Sequence, residues 1–112
     1  MPYIETVTNQ IITPEVAEDI KTKLGKTIGI IGKSESWLQL SFNDGAKMYF
    51  KGQDVPQVYA RVALLGSASA TAYEKMTAAM CDIYSEVLEV SQENIYIQYE
   101  EARVWGWNGA NF

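Results

Sequence analysis

The sequence predicts an α+β fold in which a four-stranded mixed sheet carries two helices on one face. A strand, helix, strand order occurs twice, and residues 38–42, LQLSF, correspond to residues 95–99, IYIQY. The chain has 112 residues with 47% apolar content, which suits one domain around one core. Two β-α-β units of the same hand place both helices on one face of a shared sheet. We therefore expect a single domain over residues 1–112 whose second half repeats the first.

The first unit begins with a strand at residues 2–7, PYIETV, and continues into a helix. Thr13 can cap this helix, and Pro14 suits its first position because a proline there gives up no helical hydrogen bond. Gly32 marks the end, so the prediction is a helix over residues 14–31. Its apolar stripe recurs at helical spacing and consists of Val16, Ile20, Leu24, Ile28 and Ile31.

Two further strands and a hairpin are expected before the second helix. Alternation of apolar and polar residues predicts a half-buried strand at residues 37–42, WLQLSF. The run NDG at residues 43–45 signals a turn and predicts a hairpin with a short strand around residues 47–50. Residues 58–65, VYARVALL, form the next predicted strand, with every second residue on one face.

The second helix follows the segment GSASA. Thr71 and Glu74 have the spacing of a capping box, although the sequence leaves an earlier start open. Its apolar stripe is best explained as core packing and consists of Tyr73, Met76, Met80, Ile83 and Val87.

The last predicted strand, IYIQYE at residues 95–100, has two different faces. Ile95, Ile97 and Tyr99 share one face, while Tyr96 and Gln98 share the other. The aromatic segment RVWGWNGANF at residues 103–112 is expected to be a strand or an arm that docks on another surface. One sheet face is left without helices, and if that face is apolar, other subunits must bury it.

Composition excludes several classes of function. The net charge of −5 opposes binding to nucleic acid or to an anionic membrane, both of which attract basic surfaces. The chain has one cysteine, Cys81, and no histidine, so Cys/His zinc sites, Ser-His-Asp triads and Cys-His dyads are unavailable. No metal is expected, and Cys81 is interpreted as a core residue. No apolar run or leader is evident, so we expect a cytoplasmic protein that does not bind membranes.

Four residues are candidates for chemistry. Loss of Met1 would leave Pro2 with a free secondary amine at the start of a strand, where apolar surroundings and a nearby cation such as Lys33 would favour its neutral, basic form. The alternative is that Pro2 simply begins an edge strand. Lys33 follows the end of the first helix. The alternative to a role in chemistry is a solvated lysine, because a positive charge is favourable near a helix C-terminus. Tyr96 and Gln98 could polarise a substrate oxygen together, or form an ordinary polar strand face.

Several stretches, in their order and spacing, together resemble the macrophage migration inhibitory factor group of the tautomerase superfamily over essentially the whole chain. They are MPYIETVTN, IGKSESWLQLSF, ALLGS, IYIQYEEA and WGWNGANF. The resemblance implies a homotrimeric ring in which the sheets line a central channel, the helices face outward and short strands from neighbouring subunits extend each sheet.

The resemblance also implies a cofactor-independent tautomerase acting on small anionic aromatic keto acids such as phenylpyruvate. In that case Pro2 is the catalytic base and Lys33 holds the substrate carboxylate. The backbone of Leu65 contributes to substrate binding, and Tyr96 is supplied by the adjacent subunit. The residues implied to hold the substrate ring are Tyr3, Leu65, Trp105, Trp107 and Phe112. Neither a cofactor nor a metal is needed.

The chain departs from the family pattern at three places. Gln98 replaces the common asparagine and moves the amide by about one methylene. Trp105 replaces a smaller residue and narrows the rim of the substrate pocket. Turnover is therefore expected to be weak. The Cys-x-x-Cys of vertebrate members would fall at residues 57–60, which here are QVYA, and no thiol-disulfide activity is expected. The alternatives are a cytokine-like signalling trimer with a protein receptor and non-classical secretion, or an oligomer that binds a metabolite without turnover.

Overall fold

A computed structural model describes residues 1–112 and contains two helices and a four-stranded mixed sheet, as predicted. In chain order the elements are β1 (Pro2–Thr8), α1 (Pro14–Thr27), β2 (Gln39–Asn43), β3 (Val58–Leu65), α2 (Ala70–Leu88), β4 (Ile95–Ala102), β5 (Gly106–Trp107) and β6 (Ala110–Asn111). Short 3-10 turns cover Ile28–Ile31, Glu35–Trp37 and Gln92–Asn94.

The sheet has the strand order β2-β1-β3-β4 and confirms the duplication. Each unit pairs its own two strands in parallel, β1 with β2 and β3 with β4. The units meet along an antiparallel seam between β1 and β3, in which Pro2 lies opposite Leu64 and Thr8 lies opposite Val58. The second half of the chain is therefore related to the first by an approximate two-fold axis through this seam.

Helix α1 starts where the sequence predicts and tightens before its predicted end. The Thr13 side chain accepts a hydrogen bond from the backbone N–H of Val16 at 3.2 Å, with Pro14 in the first turn. The α-helix stops at Thr27, and Ile28–Ile31 continue as a 3-10 turn, which offers partners to carbonyls that the helix end leaves unpaired. Gly32, with a φ of 75°, then ends the helical run.

Helix α2 uses the earlier of the two starts that the sequence left open. It begins at Ala70 because the Ser69 side chain accepts a hydrogen bond from the N–H of Ala72 at 3.1 Å. The capping box at Thr71 is therefore wrong. Met76, Met80 and Ile83 of the predicted stripe are buried against the sheet and α1, while Tyr73 and Val87 pack at its border.

The predicted hairpin after β2 is wrong, and no strand forms at residues 47–50. The N–H groups of Gly45 and Ala46 donate to the carbonyls of Gln10 and Thr8 at 2.9 and 3.0 Å. These bonds carry the chain across the end of β1, so it cannot fold back along β2. The segment then turns at Lys51 and Gly52, and only an isolated bridge joins Phe50 to Gln53.

The sheet face opposite the helices is polar, which removes the case for an apolar face that other subunits must bury. Arg61 lies between the carboxylates of Glu5 and Glu100 and forms an ion pair with each. The other residues of this face include hydrogen-bonded pairs, Tyr3 with Ser41 and Tyr59 with Gln98. None of the helices is long and apolar enough to cross a membrane.

Candidate active site

Three of the predicted site residues meet at one corner of the sheet. Pro2 is buried at the start of β1, beside the end of β3. The N–H of Leu65 donates to the carbonyl oxygen of Met1 at 3.1 Å, and the Nζ of Lys33 donates to the carbonyl oxygen of Leu65 at 2.7 Å. We call this group of Pro2, Lys33 and Leu65 the Pro2 corner.

Local structure explains how Lys33 reaches this corner. The left-handed conformation of Gly32 turns the chain out of the 3-10 run, a conformation that glycine adopts without steric cost. The N–H of Lys33 then donates to the carbonyl of Ile28 at 3.4 Å, which fixes the lysine backbone against the helix end. The side chain is half-buried and extends to the last residue of β3.

The Pro2 corner disfavours a protonated amine. The pKa of the Met1 amino group lies below its ordinary value of 8.0, first because burial removes water from the ammonium and second because the Lys33 cation repels it. Burial and the Lys33 cation are both features of this location in the fold and do not depend on the methionine side chain. The Met1 amine is therefore easier to deprotonate than an amine in solution.

Tyr96 lies at the other end of the sheet from Pro2 in the same chain, and Gln98 lies part of the way along, level with Arg61 and Glu5. Tyr96 pairs with Tyr59, which pairs with Val7, near the end of β1. At about 3.3 Å per residue, Val7 lies about 17 Å from Pro2 along the strand, and Tyr96 is level with Val7. One chain therefore does not bring Tyr96 to Pro2, and a site containing both requires a second copy.

The two β4 side chains have intrachain contacts of their own. Tyr96 is 61% exposed and makes an edge-to-face contact with Phe50 at 5.1 Å between ring centroids. Gln98 is also exposed, and its Oε1 accepts a hydrogen bond from the Tyr59 hydroxyl. Both predicted site residues are thus held in place while facing outward.

Tyr3 lies on the polar sheet face and is already engaged there. Its hydroxyl forms a hydrogen bond with Ser41 Oγ at 2.6 Å, and the Arg61 guanidinium lies 5.8 Å from the ring centroid.

The C-terminal segment forms a small hairpin whose rings cluster with Trp37. Asn108 and Gly109 both have positive φ, as a tight Asn-Gly turn requires, and they join β5 to β6. Trp107 and Phe112 stack at 5.7 Å, and the Trp37 ring lies edge-on to them at 4.9 and 5.9 Å. Trp105 is half-buried below, where its carbonyl accepts a hydrogen bond from the N–H of Phe112 at 3.0 Å. We call Trp37, Trp107 and Phe112 the ring cluster.

The ring cluster remains open to a ligand or partner. Its three rings are 43%, 53% and 54% exposed, and a depression of about 290 Å³ adjoins Trp107 and Phe112. Trp37 is the one member that the sequence analysis did not place in the site. The available signal was an aromatic residue shortly after Lys33 in the stretch GKSESW.

The duplicated β-α-β sheet, with Pro2 at the start of its first strand beside Lys33, has the fold of the tautomerase superfamily. The family model described as macrophage migration inhibitory factor (MIF) matches residues 1–112. The chain therefore belongs to the macrophage migration inhibitory factor family, which confirms the resemblance found in the sequence. A similar curated protein is the macrophage migration inhibitory factor homolog of Trichuris trichiura, 26% identical over 115 residues and covering 100% of both chains.

Solved structures of similar proteins support the same fold. Leishmania major MIF2 superposes with a TM-score of 0.95 at 25% identity, covering 100% of this chain and 97% of the other. A macrophage migration inhibitory factor homologue from Prochlorococcus marinus gives 0.88 at 25% identity, with 98% of each chain covered. An asymmetric trimer of fused 4-OT gives 0.82 at 16% identity, covering 96% and 93%, and supports the fold alone.

Proposed function

We propose that this protein is a cofactor-independent keto–enol tautomerase of aryl pyruvates such as phenylpyruvate, with Pro2 as the catalytic base after removal of Met1. The observation that carries the proposal is the Pro2 corner, where burial and then the Lys33 cation lower the pKa of the adjoining Met1 amine, and where the N–H of Leu65 lies beside Pro2. A base needs a pKa near the working pH, and a keto acid needs donors for its oxygens.

Removal of Met1 has two effects on the corner. It leaves Pro2 as a secondary amine, and burial beside Lys33 would lower the pKa of that amine as it lowers that of Met1. It also frees the N–H of Leu65, which otherwise donates to the Met1 carbonyl. The Met1 carbonyl oxygen stands in for a substrate oxygen at this position.

The proposed reaction moves one proton without a net change in oxidation. Pro2 accepts the proton of the enol hydroxyl and returns it to the carbon that becomes the methylene group. Lys33 binds the substrate carboxylate in place of the Leu65 carbonyl, and the N–H of Leu65 binds a second oxygen. Positive charge and a donor then face the negative charge that develops on the substrate.

A homotrimer completes the site in this proposal. The separation of about 17 Å along the strand means that Tyr96 must come from a neighbouring copy, and Gln98, two residues away on the same strand, would come with it. There the Tyr96 hydroxyl would donate to the developing negative charge, and Gln98 would contact the far side of the ring. Tyr3, Trp105, Trp107 and Phe112 would contact the aromatic ring, and the half-exposed rings of Trp107 and Phe112 support this for those two residues.

The test follows phenylpyruvate tautomerisation by ultraviolet absorbance with untagged protein whose mass confirms loss of Met1. Pro2→Gly and a variant with one residue inserted before Pro2 should both lose activity. Pro56→Gly, the same substitution in an exposed loop, serves as the matched control and should remain active. Equal rates in all four proteins would refute Pro2 as the base.

A signalling or protein-binding trimer is the second candidate function. The exposed ring cluster favours it, because contiguous exposed aromatic surface commonly contacts other proteins. No turnover of any aryl pyruvate by the mature protein would support this candidate over the tautomerase.

A further inference from the structure

A second depression adjoins the Pro2 corner where β3 and β4 end side by side. Leu65 pairs with Ala102 at the last position of their register. Gly66 then turns the chain with a φ of 84°, and its N–H donates to the carbonyl of Ala102 at 2.8 Å. A depression of about 430 Å³ opens at this turn. We call it the Arg103 depression, and its lining residues are Leu65, Gly66, Ser67, Glu101, Ala102 and Arg103.

The arginine of this depression has no counter-ion within the chain. The sequence contains two arginines, and the other one, Arg61, forms ion pairs with both Glu5 and Glu100. Arg103 is exposed and takes part in none of the ion pairs of the chain. Its guanidinium therefore keeps its donors for a group from outside the chain.

The one acidic residue of the depression, Glu101, is held by another partner. It lies on the face of β4 that it shares with Ile97 and Tyr99, toward the helices. There its Oε2 accepts a hydrogen bond from the Tyr73 hydroxyl at 2.5 Å, and that hydroxyl accepts one from the N–H of Ala68 at 3.1 Å. Glu101 is thus bound to α2 and leaves Arg103 unpaired.

Two cations therefore flank Leu65. The Nζ of Lys33 donates to the Leu65 carbonyl at 2.7 Å, while Arg103 follows the residue that pairs with Leu65 on β4. Because neighbouring strands lie about 4.8 Å apart, one small molecule can contact both sides of Leu65. Ser67 is exposed beside them, and its backbone N–H donates to no carbonyl of the chain.

We propose that the Arg103 depression binds the second carboxylate of a 2-keto dicarboxylic acid whose first carboxylate is bound by Lys33. This inference rests on the proposed function and adds a substrate class for the same base. A guanidinium presents two parallel N–H donors that match the two oxygens of a carboxylate, and Ser67 supplies a further donor. Arg103 is then the residue that determines the preference for dicarboxylates over monocarboxylates.

The kinetic test follows the tautomerisation of oxaloacetate and of phenylpyruvate by ultraviolet absorbance in the mature wild type and in Arg103→Gln. Oxaloacetate has two carboxylates and phenylpyruvate has one, so the ratio of their kcat/KM values reports on the second carboxylate. Arg103→Gln should lower this ratio about 10- to 150-fold, mainly through the KM for oxaloacetate, because hydrogen bonds to a charged group are lost.

Lys75→Gln is the matched control, because Lys75 is exposed on α2 and does not line the depression. It removes the same charge and should leave the ratio unchanged. An unchanged ratio in a folded Arg103→Gln protein, or an equal fall in Lys75→Gln, would overturn the proposal.

A binding measurement separates this proposal from the tautomerase itself. Malonate, a dicarboxylate without a keto group, and acetate, a monocarboxylate, are titrated into the mature protein and into Arg103→Gln. Binding is followed by NMR through the Leu65 amide and the Nε–H of Arg103. Malonate should bind about tenfold more tightly than acetate, shift the Arg103 signal and lose its advantage in the variant.

That result would support the subsite even if Pro2 turns over neither keto acid. Equal affinities for malonate and acetate, or malonate binding that leaves the Arg103 signal in place, would refute the subsite even in an active enzyme.

Discussion

Substitution of Lys33 by glutamine tests the Pro2 corner most directly, because Lys33 has two separable roles there. Its Nζ donates to the Leu65 carbonyl at 2.7 Å, and in the proposed site it would donate to a substrate carboxylate instead. Hydrogen bonds to charged groups contribute about 1.5–3 kcal/mol. Lys33→Gln should therefore lower kcat/KM for phenylpyruvate about 10- to 150-fold, mostly through KM.

The second role predicts a change in pH dependence. The Lys33 cation is the smaller of two causes that lower the pKa of the Met1 amine, and burial is the larger; the same two causes would act on the Pro2 amine after removal of Met1. Loss of the cation should raise the pKa of the Pro2 amine part of the way toward its ordinary value. Because the base must be unprotonated, the acidic limb of the kcat/KM profile should move to higher pH.

The assay is a pH series of initial rates at several substrate concentrations, with Lys75→Gln as the control. Lys75 is exposed on α2, so this variant makes the same charge change far from the corner. Urea unfolding of both variants shows whether loss of the Leu65 contact has reduced stability. If KM and the acidic limb both stay in place in a folded Lys33→Gln protein, the assignment of Lys33 is wrong.

Two further predictions concern the fold. Tyr84→Phe should lower the free energy of unfolding by about 1–2 kcal/mol, because it leaves the buried hydroxyl of Thr6 without its partner at 2.6 Å, and urea unfolding against Tyr49→Phe measures this. Burial raises the pKa of the Tyr84 phenol, so the folded state keeps a proton that the unfolded state releases above about pH 10. The free energy of unfolding of the wild type should therefore fall above that pH. The fall should be smaller in Tyr84→Phe, which lacks the phenol. Ser69→Ala should cost about 1 kcal/mol because it removes the α2 cap, while Thr71→Ala should change stability by less than about 0.5 kcal/mol; the reverse order in thermal or urea unfolding would contradict the cap assignment.

Local signals in the sequence were sufficient for most of the fold. Thr13 caps α1 as predicted, and the period-two alternation places Val58, Ala60, Val62 and Leu64 of β3 in the core, although Ala63 of the other face is buried as well. Those signals depend on near neighbours in the chain. The repeated order of elements then limited the sheet to few topologies.

The failures have a common physical cause, which is competition from distant partners. The Asn43-Asp44-Gly45 run does turn the chain, but Gly45 and Ala46 bond to the end of β1, and this decides the direction. At α2, both Ser69 and Thr71 have suitable hydroxyls, and the local spacing does not rank them. The structure resolves the choice in favour of Ser69.

The candidate site was predictable in part. The chemistry of Pro2 and Lys33 made them candidates with structural alternatives, the family resemblance gave them site roles, and the structure brings them to one corner. The distance of Tyr96 from this corner depends on strand register across three strands, which no single segment encodes. Trp37 was missed because its partners, Trp107 and Phe112, lie at the far end of the chain.

The internal repeat means that only one of the two halves can supply the terminal amine of the proposed site. At the spacing that relates residues 38–42 to residues 95–99, Pro2 corresponds to Tyr59 and Lys33 corresponds to Val90. Tyr59 is in mid-chain and can never provide a terminal amine, and Val90 is buried in the core. Because both units lie in one polypeptide, each chain has a single amino terminus for the two units. The corresponding residues of the second unit make structural contacts instead. Val90 packs in the interior, and the Tyr59 hydroxyl forms a hydrogen bond with the amide of Gln98.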